Sequence, residues 1–337
     1  MEDIQKRKVQ HIQLAQQSGS QMDGSIFERY SLPYKALPEV DLDDVSTATS
    51  LLEKQLSQPL IIASMTGGEA YAKTINKHLA IAAQEMNVAI GVGSQRVALE
   101  VPSARESFSI VRKHAPDAVV FANLAGVQLN YGYDISHYEA VVDMIEADAL
   151  YIHLNPLQEA IQPEGDTNFL GLREKLGDLI SRLSVPVFVK EVGHGLDIET
   201  CKFKLDAGVS GLDIAGTGGT SWSWIESQRR GSDEFSDWFK SVGNSTESIL
   251  QDLSMIEKNV SVVASGGIRN PVHGLMARSF GADYYSAARP FLHAALDSEK
   301  AVIDALVLWQ QGLQIALFIT GIQDWEQARF LELELST

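Results

Sequence analysis

The chain has 337 residues, of which 45% are hydrophobic and 21% are charged, so it can bury a large core. Its formal net charge of −17 argues against nucleic acid as a partner, because phosphate backbones are bound by clustered cations. Cys201 is the only cysteine, which excludes an internal disulfide and a cluster of thiolate ligands. No apolar run approaches the ~20 residues that a membrane span needs, and the N-terminus lacks the hydrophobic core of a signal peptide. We therefore expect a cytoplasmic protein without a membrane partner.

The first part of the chain, residues 1–58, precedes any strand pattern. Its segment 4–17 predicts a helix, on which Lys6, Arg7 and Lys8 form a basic run in an otherwise acidic protein. By itself such a run is typical of a solvated helix face. We expect residues 1–58 to be a helical N-terminal extension of a domain that spans residues 59–337.

From residue 59 onward, short runs rich in β-branched residues alternate with longer helical patterns. This alternation indicates parallel strands joined by crossover helices. Eight such units favour an α/β fold of the closed (β/α)₈ TIM barrel type over an open doubly wound sheet. The strand runs occupy residues 59–68, 89–96, 118–126, 149–155, 186–193, 211–220, 261–267 and 282–290. Helical patterns occupy residues 72–86, 138–147, 171–183, 198–208, 247–259, 271–282 and 298–321, the last of them apolar on two sides in the manner of a subunit interface.

Every strand run ends in a glycine-rich or polar tail, and in a barrel these tails surround one mouth, where active sites lie. The tails after the seventh and eighth strands, "SGGIRN" and "SAARP", are typical of a phosphate site. There Gly266 and Gly267 let backbone N–H groups approach phosphate oxygens, and Arg269 or Arg289 supplies charge.

Lys190 ends the fifth strand and needs an anion, because burying an unpaired ammonium is costly. One interpretation is a Schiff-base lysine, and another is a cation beside the pyrimidine side of a reduced flavin. An ion pair with Glu191 is disfavoured, because neighbours on a strand point to opposite faces. The fourth strand ends in polar side chains without an obvious nucleophile: His153, Asn155, Gln158 and Glu159.

Eight strings in order then carry a resemblance that covers nearly the whole chain. They are "RKVQH" (7–11), "SMTGG" (64–68), "GSQR" (93–96), "HLNPLQE" (153–159), "KEVG" (190–193), "GTGGTSW" (216–222), "SGGIRN" (265–270) and "SAAR" (286–289). In these strings the chain resembles type II isopentenyl-diphosphate isomerase, a family of FMN-dependent barrel enzymes. Ser221 departs from the family pattern, which more often has Asn there, and His194 stands at a variable position and receives no role.

The resemblance implies that reduced FMN shifts a proton between isopentenyl and dimethylallyl diphosphate, that NADPH only reduces the flavin, and that Glu159 holds Mg²⁺ on the diphosphate. The implied FMN contacts are Met65, Thr66, Gly67, Ser94, Asn123, Lys190, Thr220, Gly267, Arg269, Ala287 and Ala288. The implied substrate contacts are Arg7, Lys8, Ser94, Gln95, Arg96 and Gln158.

The remaining polar residues receive narrower hypotheses. Gln158 is neutral, so we expect it to position the substrate and relay a proton, not to act as a base. His153 either donates to phosphate or is a hydrogen-bonded residue of the barrel wall, and Asn155 caps the turn before a proline. Glu226 is a hypothetical second metal ligand or proton-handling group. It lies in segment 221–245, whose length and tryptophans predict a packed lid.

Two other function classes remain open. A 2-hydroxy-acid oxidase or dehydrogenase on the same FMN barrel needs a catalytic histidine near the seventh strand, and His194 is in the wrong loop for it. A non-catalytic flavin- or phosphate-sensing barrel has no need for a metal ligand beside the basic Arg7–Lys8 pair. We further expect a homo-oligomer, a tetramer or an octamer, in which the N-terminal arm serves its own or a neighbouring subunit.

Overall fold

The computed structural model describes residues 2–22, 24–68, 70–256 and 259–335, and within these ranges the side chains of residues 2–6 and 70 are not described. Lys6, the first residue of the predicted basic run, therefore lies outside the described side chains.

Eight parallel strands close into a barrel in chain order, with the eighth strand paired to the first and the sixth to the seventh. This confirms the TIM barrel and shows that the alternative of an open sheet was wrong. The strands are β1 Leu60–Ile62, β2 Ala89–Gly91, β3 Val120–Ala125, β4 Ala149–His153, β5 Val187–Lys190, β6 Gly211–Asp213, β7 Ser261–Ala264 and β8 Tyr284–Ala287.

Helices surround the barrel and extend it at both ends of the chain. They are α1 Glu2–Ala15, α2 Ala70–Glu85, α3 Arg96–Glu100, α4 Glu106–His114, α5 Ile135–Met144, α6 Pro156–Ile161, α7 Leu172–Arg182, α8 Ile198–Asp206, α9 Trp222–Arg230, α10 Asp233–Phe239, α11 Thr246–Ser254, α12 Pro271–Ser279, α13 Arg289–Asp297 and α14 Glu299–Thr320. Short 3₁₀ turns occupy Ser18–Ser20, Ile26–Arg29, Leu42–Asp44, Pro102–Ala104, Gly126–Asn130 and Gln327–Phe330. The sequence patterns missed α3, α4, α6, α9, α10 and α13, and the predicted strands 89–96 and 282–290 are wrong at their ends, because α3 begins at Arg96 and α13 at Arg289.

The core has two layers, as a closed barrel requires. Large aromatic side chains fill the interior, where the rings of Phe121 and Tyr151 stack with centroids 4.4 Å apart and Phe188 packs edge-on against Phe121 at 5.1 Å. A larger aliphatic layer joins the outside of the strands to the helices. The aromatic filling lies below the carboxyl ends of the strands, so the open space is confined to that end.

An antiparallel hairpin of Thr49–Leu51 and Lys54–Leu56 covers the opposite, N-terminal end of the barrel. Its Leu51 and Leu56 are buried in the same cluster as the interior aromatics. Lys54 bonds Asp148, the residue before β4, at 2.6 Å. The hairpin thus covers the bottom of the barrel.

Helix α14 is long and apolar enough to cross a membrane by length and composition alone, so the expectation of no such run was too strict. Here it packs against α2, α12 and α13 and buries Val302, Leu306 and Leu313. Leu308 and Ile315 on its other side are 67% and 51% exposed. The packing identifies α14 as the last helix of the barrel, with one apolar face left outside.

Two helical glycines provide a matched test of this packing. A Cβ at Gly274 in α12 would lie 2.6 Å from ring atoms of Tyr285, whereas a Cβ at Gly177 in α7 would meet Phe203 at an ordinary 3.6 Å. Gly177→Ala should raise the free energy of unfolding by about 0.5–1 kcal/mol, because alanine favours helix. Gly274→Ala should lower it by about 1–3 kcal/mol through overpacking. Chemical denaturation measures both, and equal shifts would contradict the close helix–strand contact.

Candidate active site

A cavity of about 500 Å³ opens at the carboxyl ends of the barrel strands and takes lining residues from all eight of them and from α1. Most of the predicted site residues meet there. Those that line it are Arg7, Lys8, Met65, Thr66, Ser94, Arg96, Asn123, His153, Gln158, Glu159, Lys190, Thr220, Gly267, Arg269, Ala287 and Ala288.

Three predicted site residues do not line the cavity. Gln95 is fully buried, and its amide donates to Val141 O and accepts from the Asn123 N–H at 2.8 and 2.9 Å. Gly67 packs on Phe108, whose ring leaves no room for a Cβ. Glu226 lies behind Gln158. The placement of Gln95 and Gly67 thus does not support direct ligand contact: Gln95 holds strand β3 at Asn123, and Gly67 lies in the loop that carries Thr66.

Lys190 projects into the floor of the cavity from the end of β5. Its Nζ donates to Glu191 O at 2.8 Å and lies 3.6 Å from a carboxylate oxygen of buried Asp213. The Glu191 carboxylate points away and accepts backbone N–H groups of the following loop, including that of Gly193. The alternation of side chains along a strand predicted that Lys190 and Glu191 point in opposite directions. Asp213 is the partner that the sequence did not reveal, since it stands on the neighbouring strand β6.

The loops after β6 and β7 form a glycine cradle at one side of the mouth. Gly218, Gly266 and Gly267 all have φ between +79° and +106°, a region that favours glycine. A Cβ at Gly266 would lie 1.8 Å from Gly216 O. The guanidinium groups of Arg269 and Arg289 line the same side, and burial together with Arg269 lowers the pKa of Arg289. Two cations that repel each other beside these glycine turns suit a phosphate.

Across the mouth, the end of β4 holds an amide–carboxylate cluster. Asn155 does not cap α6; its Nδ2 donates to Gln158 Oε1 at 3.1 Å and to Glu159 Oε1 at 2.8 Å. The other Glu159 oxygen accepts the Asp166 N–H at 2.7 Å. Burial raises the pKa of Glu159, so a cation at this carboxylate would be favourable. The expected capping role of Asn155 is therefore wrong, and the side chain orients its two neighbours.

Glu226 in α9 is fully buried and joins three elements. It accepts from Gln158 Nε2 at 3.1 Å and from Arg229 Nη1 at 2.5 Å, and His11 Nε2 lies 2.8 Å away. Burial alone would raise the pKa of Glu226, but His11, Arg229 and Gln158 lower it overall. The carboxylate is thus held charged one hydrogen bond behind the cavity-lining Gln158.

Helix α1 contributes a cationic wall. Burial, and then the charges of Arg7 and Arg96, lower the pKa of Lys8 to about 8, although Glu226 opposes them. Acidic groups of the segment after α6 face these cations, with Glu164 3.7 Å from Arg7 and Asp166 bonded to Arg96. A mobile anion between Arg7, Lys8 and Arg96 would relieve their mutual repulsion.

His153 is a neutral residue of the cavity wall. Burial, then Lys190 and Lys8, lower its pKa to about 3. Its Nδ1 lies 2.7 Å from the amide oxygen of Asn123, which places the proton on Nδ1 and leaves Nε2 as an acceptor. In the ligand-free protein His153 is therefore not set to donate a proton toward the cavity.

Sequence reasoning assigned no role to several residues that now join the site. His11 lies one helical turn after Arg7 and Lys8, a spacing that places all three on one face, so it was within reach of prediction. Gln162 follows Gln158 by one turn, and its amide fits between Arg7 Nη1 and Glu226 Oε1. Asp166 had no comparable helical spacing to a predicted site residue, so nothing in the sequence indicated that it belongs to the site.

The segment 221–245, the predicted lid, folds into α9 and α10. Its Trp222 lines the cavity and packs edge-on against His11 with ring centroids 5.0 Å apart. Trp224 instead packs against Gly19 of the extension. The segment therefore covers the site beside α1, and its movement as a lid stays a prediction.

Some polar atoms of the cavity lining have no hydrogen-bond partner in the protein, and their positions fit the implied cofactors. Within the described residues, Thr66 Oγ1, Arg7 Nε and Asn155 Oδ1 are buried without a hydrogen-bond partner. Buried polar groups are normally paired, so these atoms point to a bound ligand. No cluster of three metal-binding side chains occurs in the described part of the chain, but Mg²⁺ on a diphosphate needs only one or two carboxylates. The lining thus fits both FMN and a magnesium diphosphate.

Comparison with known proteins decides between the function classes. Residues 157–332 match the family model described as FMN-dependent dehydrogenase. The chain is similar over its length to proteins named isopentenyl-diphosphate delta-isomerase: 44% identity to that of Synechococcus sp. (97% of this chain, 95% of that one), 41% to that of Nostoc sp. (96% and 94%) and 42% to that of Paracoccus zeaxanthinifaciens (94% and 92%).

This chain belongs to the isopentenyl-diphosphate delta-isomerase family. The FMN model match agrees with the FMN-dependent type II branch, whose resemblance the eight strings carry. The individual contacts with cofactor, metal and substrate stay predictions.

Solved structures of mandelate oxidases share the fold. A mutant with (S)-mandelic acid superposes with a TM-score of 0.68 at 17% identity, covering 100% of this chain and 96% of that one, and the enzyme with (S)-4-hydroxymandelic acid gives 0.63 at 16% (97% and 92%). The likeness shows the barrel only. In this isomerase-family chain His194 does not line the cavity, and its Nε2 lies 3.2 Å from Ser223 Oγ. It is thus not available as an oxidase base.

The neutral state of His153 predicts a pH effect on stability. The unfolded chain takes up a proton near pH 6.5, whereas the folded state does so only near 3, so protonation favours unfolding between these values. On acidification below pH 6.5, wild-type protein without ligands should lose up to about 1.4 kcal/mol per pH unit more than His153→Gln. Denaturation curves at pH 7, 6 and 5 measure the difference, and parallel slopes would show that His153 is not the buried neutral group.

Proposed function

We propose that this protein interconverts isopentenyl diphosphate and dimethylallyl diphosphate with reduced FMN as cofactor, Mg²⁺ on the diphosphate and NADPH as the reductant of the flavin. Family membership supports the reaction. The observation that carries the rest is one cavity with two separate anion-binding sides. A glycine cradle with Arg269 and Arg289 lies at β7 and β8, and the cations of α1 lie beside Glu159 at the end of β4.

The two sides suit two different phosphorylated ligands. In the barrel order the glycine cradle and its two arginines, at the ends of β6 to β8, lie two to four strands from β4, so the phosphate of FMN and the diphosphate of the substrate would not compete. The flavin ring system would then span the floor near Met65, Thr66 and Asn123, with Lys190 at its edge. Lys190 would stabilise negative charge on the reduced ring, and the carboxylate of Asp213, 3.6 Å from its Nζ, helps to hold the lysine in place.

The protein groups near the substrate position it and hold charge. Arg7, Lys8 and Arg96 would bind the diphosphate through charge-assisted hydrogen bonds, and Glu159 would hold Mg²⁺, a hard cation that prefers oxygen ligands. When bound, reduced FMN supplies the proton chemistry that no side chain here matches, because an alkene is a very poor base.

Gln158 and Glu226 are the groups built to handle a displaced proton. The Gln158 amide lines the cavity and donates to the buried Glu226 carboxylate at 3.1 Å, and His11 lies on the far side of Glu226. A fully buried carboxylate such as that of Glu226 is too costly to serve packing alone. We assign Gln158 to orienting the substrate and relaying a proton. Glu226 accepts the hydrogen bond from the Gln158 amide and so holds it in position.

The assembly and location of the protein complete the proposal. The exposed apolar face of α14 with Leu308 and Ile315 suits a second copy of this chain, as a tetramer or an octamer. A cytoplasmic site of action without nucleic-acid or membrane partners agrees with the charge of −17 and with the small substrate.

The deciding experiment adds isopentenyl diphosphate, FMN, Mg²⁺ and a small amount of NADPH without oxygen and follows dimethylallyl diphosphate. Substrate and product have the same oxidation state, so one equivalent of NADPH per enzyme should support many turnovers. Oxidation of one NADPH per product would instead favour an oxidoreductase, and no product with fully reduced flavin would refute the isomerase.

The N-terminal arm gives a second test. Deletion of residues 1–11 removes Arg7, Lys8 and His11 and should raise KM for isopentenyl diphosphate sharply while FMN binding stays nearly intact. Arg7→Ala should raise KM by about tenfold, the loss of one charge-assisted contact, since Lys8 and Arg96 remain. Lys113→Ala, an exposed cation of α4, is the matched control. If the truncated enzyme keeps the KM and kcat of the wild type, the basic run is only a solvated helix face and does not bind the substrate.

A further inference from the structure

The segment that follows α1 runs over the glycine cradle and is bonded to it along its length. Met22 N donates to Gly219 O at 2.9 Å, and Ser221 N donates to Ser20 O at 2.7 Å. Ser25 Oγ donates to Gly267 O at 2.7 Å in a buried contact. Residues 18–22, 24 and 25 therefore form a wall of the cradle, although about 200 residues of chain separate the two parts.

The same segment holds the guanidinium group of Arg289. Nη1 donates to Ser20 Oγ at 2.9 Å, and Nη2 donates to Gln16 O and Gln17 O at 3.2 and 3.1 Å. These acceptors are neutral, so they fix the direction of the side chain and leave its charge uncompensated. Arginine side chains lose considerable conformational entropy when they are fixed. Because Arg289 is already fixed by these hydrogen bonds, ligand binding does not have to order it.

Arg269 is held in a similar way from the same segment. Its Nη2 donates to Met22 O and its Nη1 to Glu28 Oε1, both at 2.9 Å. The amide oxygen of Gln21 faces its Nε at 2.8 Å. Two cations thus face one carboxylate, Glu28, which leaves a positive balance at the cradle for a phosphate group.

We propose that residues 16–22 and 24–28 complete the flavin phosphate site, with Ser20 and Ser25 as positioning residues that set Arg289 and the Gly267 turn. The inference rests on the proposed use of FMN and deepens it. Without these contacts the cradle keeps its glycines, but the Arg289 side chain and the turn at Gly267 are no longer held in place. Phosphate recognition by this barrel therefore depends on a segment outside the barrel.

A purely structural role for the segment makes a different prediction. Contacts that only stabilise the fold would affect every flavin alike, whereas contacts that preorganise phosphate-binding groups affect the phosphorylated flavin alone. Riboflavin, which lacks the phosphate, separates the two cases. Because serine and alanine are both neutral, the substitutions leave the net charge of the site unchanged.

The experiment titrates the ligand-free protein with FMN and with riboflavin and follows flavin fluorescence. Ser20→Ala should raise the Kd for FMN about tenfold, the effect of one hydrogen bond to a charged donor, and Ser25→Ala about fivefold, that of a neutral one. The Kd for riboflavin should change less than about twofold, which also shows that each variant is folded. Ser18→Ala, at an exposed position of the same segment, should bind both flavins like wild type.

Unchanged FMN affinity in both variants, or equal losses for FMN and riboflavin, would overturn the inference. Failure of the wild-type protein to bind either flavin would instead overturn the proposed function. Amide hydrogen exchange gives a second measurement: FMN should protect residues 18–25 more than riboflavin does, and equal protection would again count against the positioning role.

Discussion

The site depends on keeping several cations charged and apart in one confined cavity. Six cationic side chains of the described residues line it: Arg7, Lys8, Arg96, Lys190, Arg269 and Arg289. Burial first, and then the neighbouring like charges, lower the pKa values of Lys8 and Arg289, as expected where cations lie close together in a confined space. Carboxylates behind the lining, such as Asp213 at Lys190 and Glu28 at Arg269, offset only part of the repulsion. The remaining positive potential is the recognition element for two phosphorylated ligands, although the protein as a whole is strongly acidic.

The N-terminal extension makes this arrangement possible at two places. Through α1 it brings Arg7, Lys8 and His11 to the side of β4, and through residues 16–22 and 24–28 it fixes the arginines at β7 and β8. Both parts also contact α9, since His11 faces Glu226 and Gly19 packs on Trp224. The extension thus contacts α9 at two points and contributes side chains to both proposed sides of the mouth.

The barrel was predictable because its signal repeats. Eight alternations leave few topologies, and the glycine-rich tails locate the mouth. Lys190 was likewise predictable, since strand periodicity decides the direction of its side chain. Contacts between distant segments were not: nothing in the sequence near Asp213 marks it as the partner of Lys190, and Ser20 and Ser25 are ordinary turn residues. Short helices such as α6 were missed because six residues carry too little periodicity.

The comparison with mandelate oxidases shows what the barrel leaves undecided. At 16–17% identity the same fold carries a different named activity, as expected when function lies in residues attached to a common scaffold. In this chain the groups at the proposed substrate side come largely from outside the strands. His11 belongs to α1, Gln158 and Glu159 to the short α6, and Glu226 to the inserted α9. The one hydrogen bond between Gln158 and Glu226 joins two of these additions across the rim of the barrel. The proposed substrate side is therefore assembled where three peripheral elements meet, whereas Asn123 and Lys190 of the proposed flavin side belong to the strands β3 and β5.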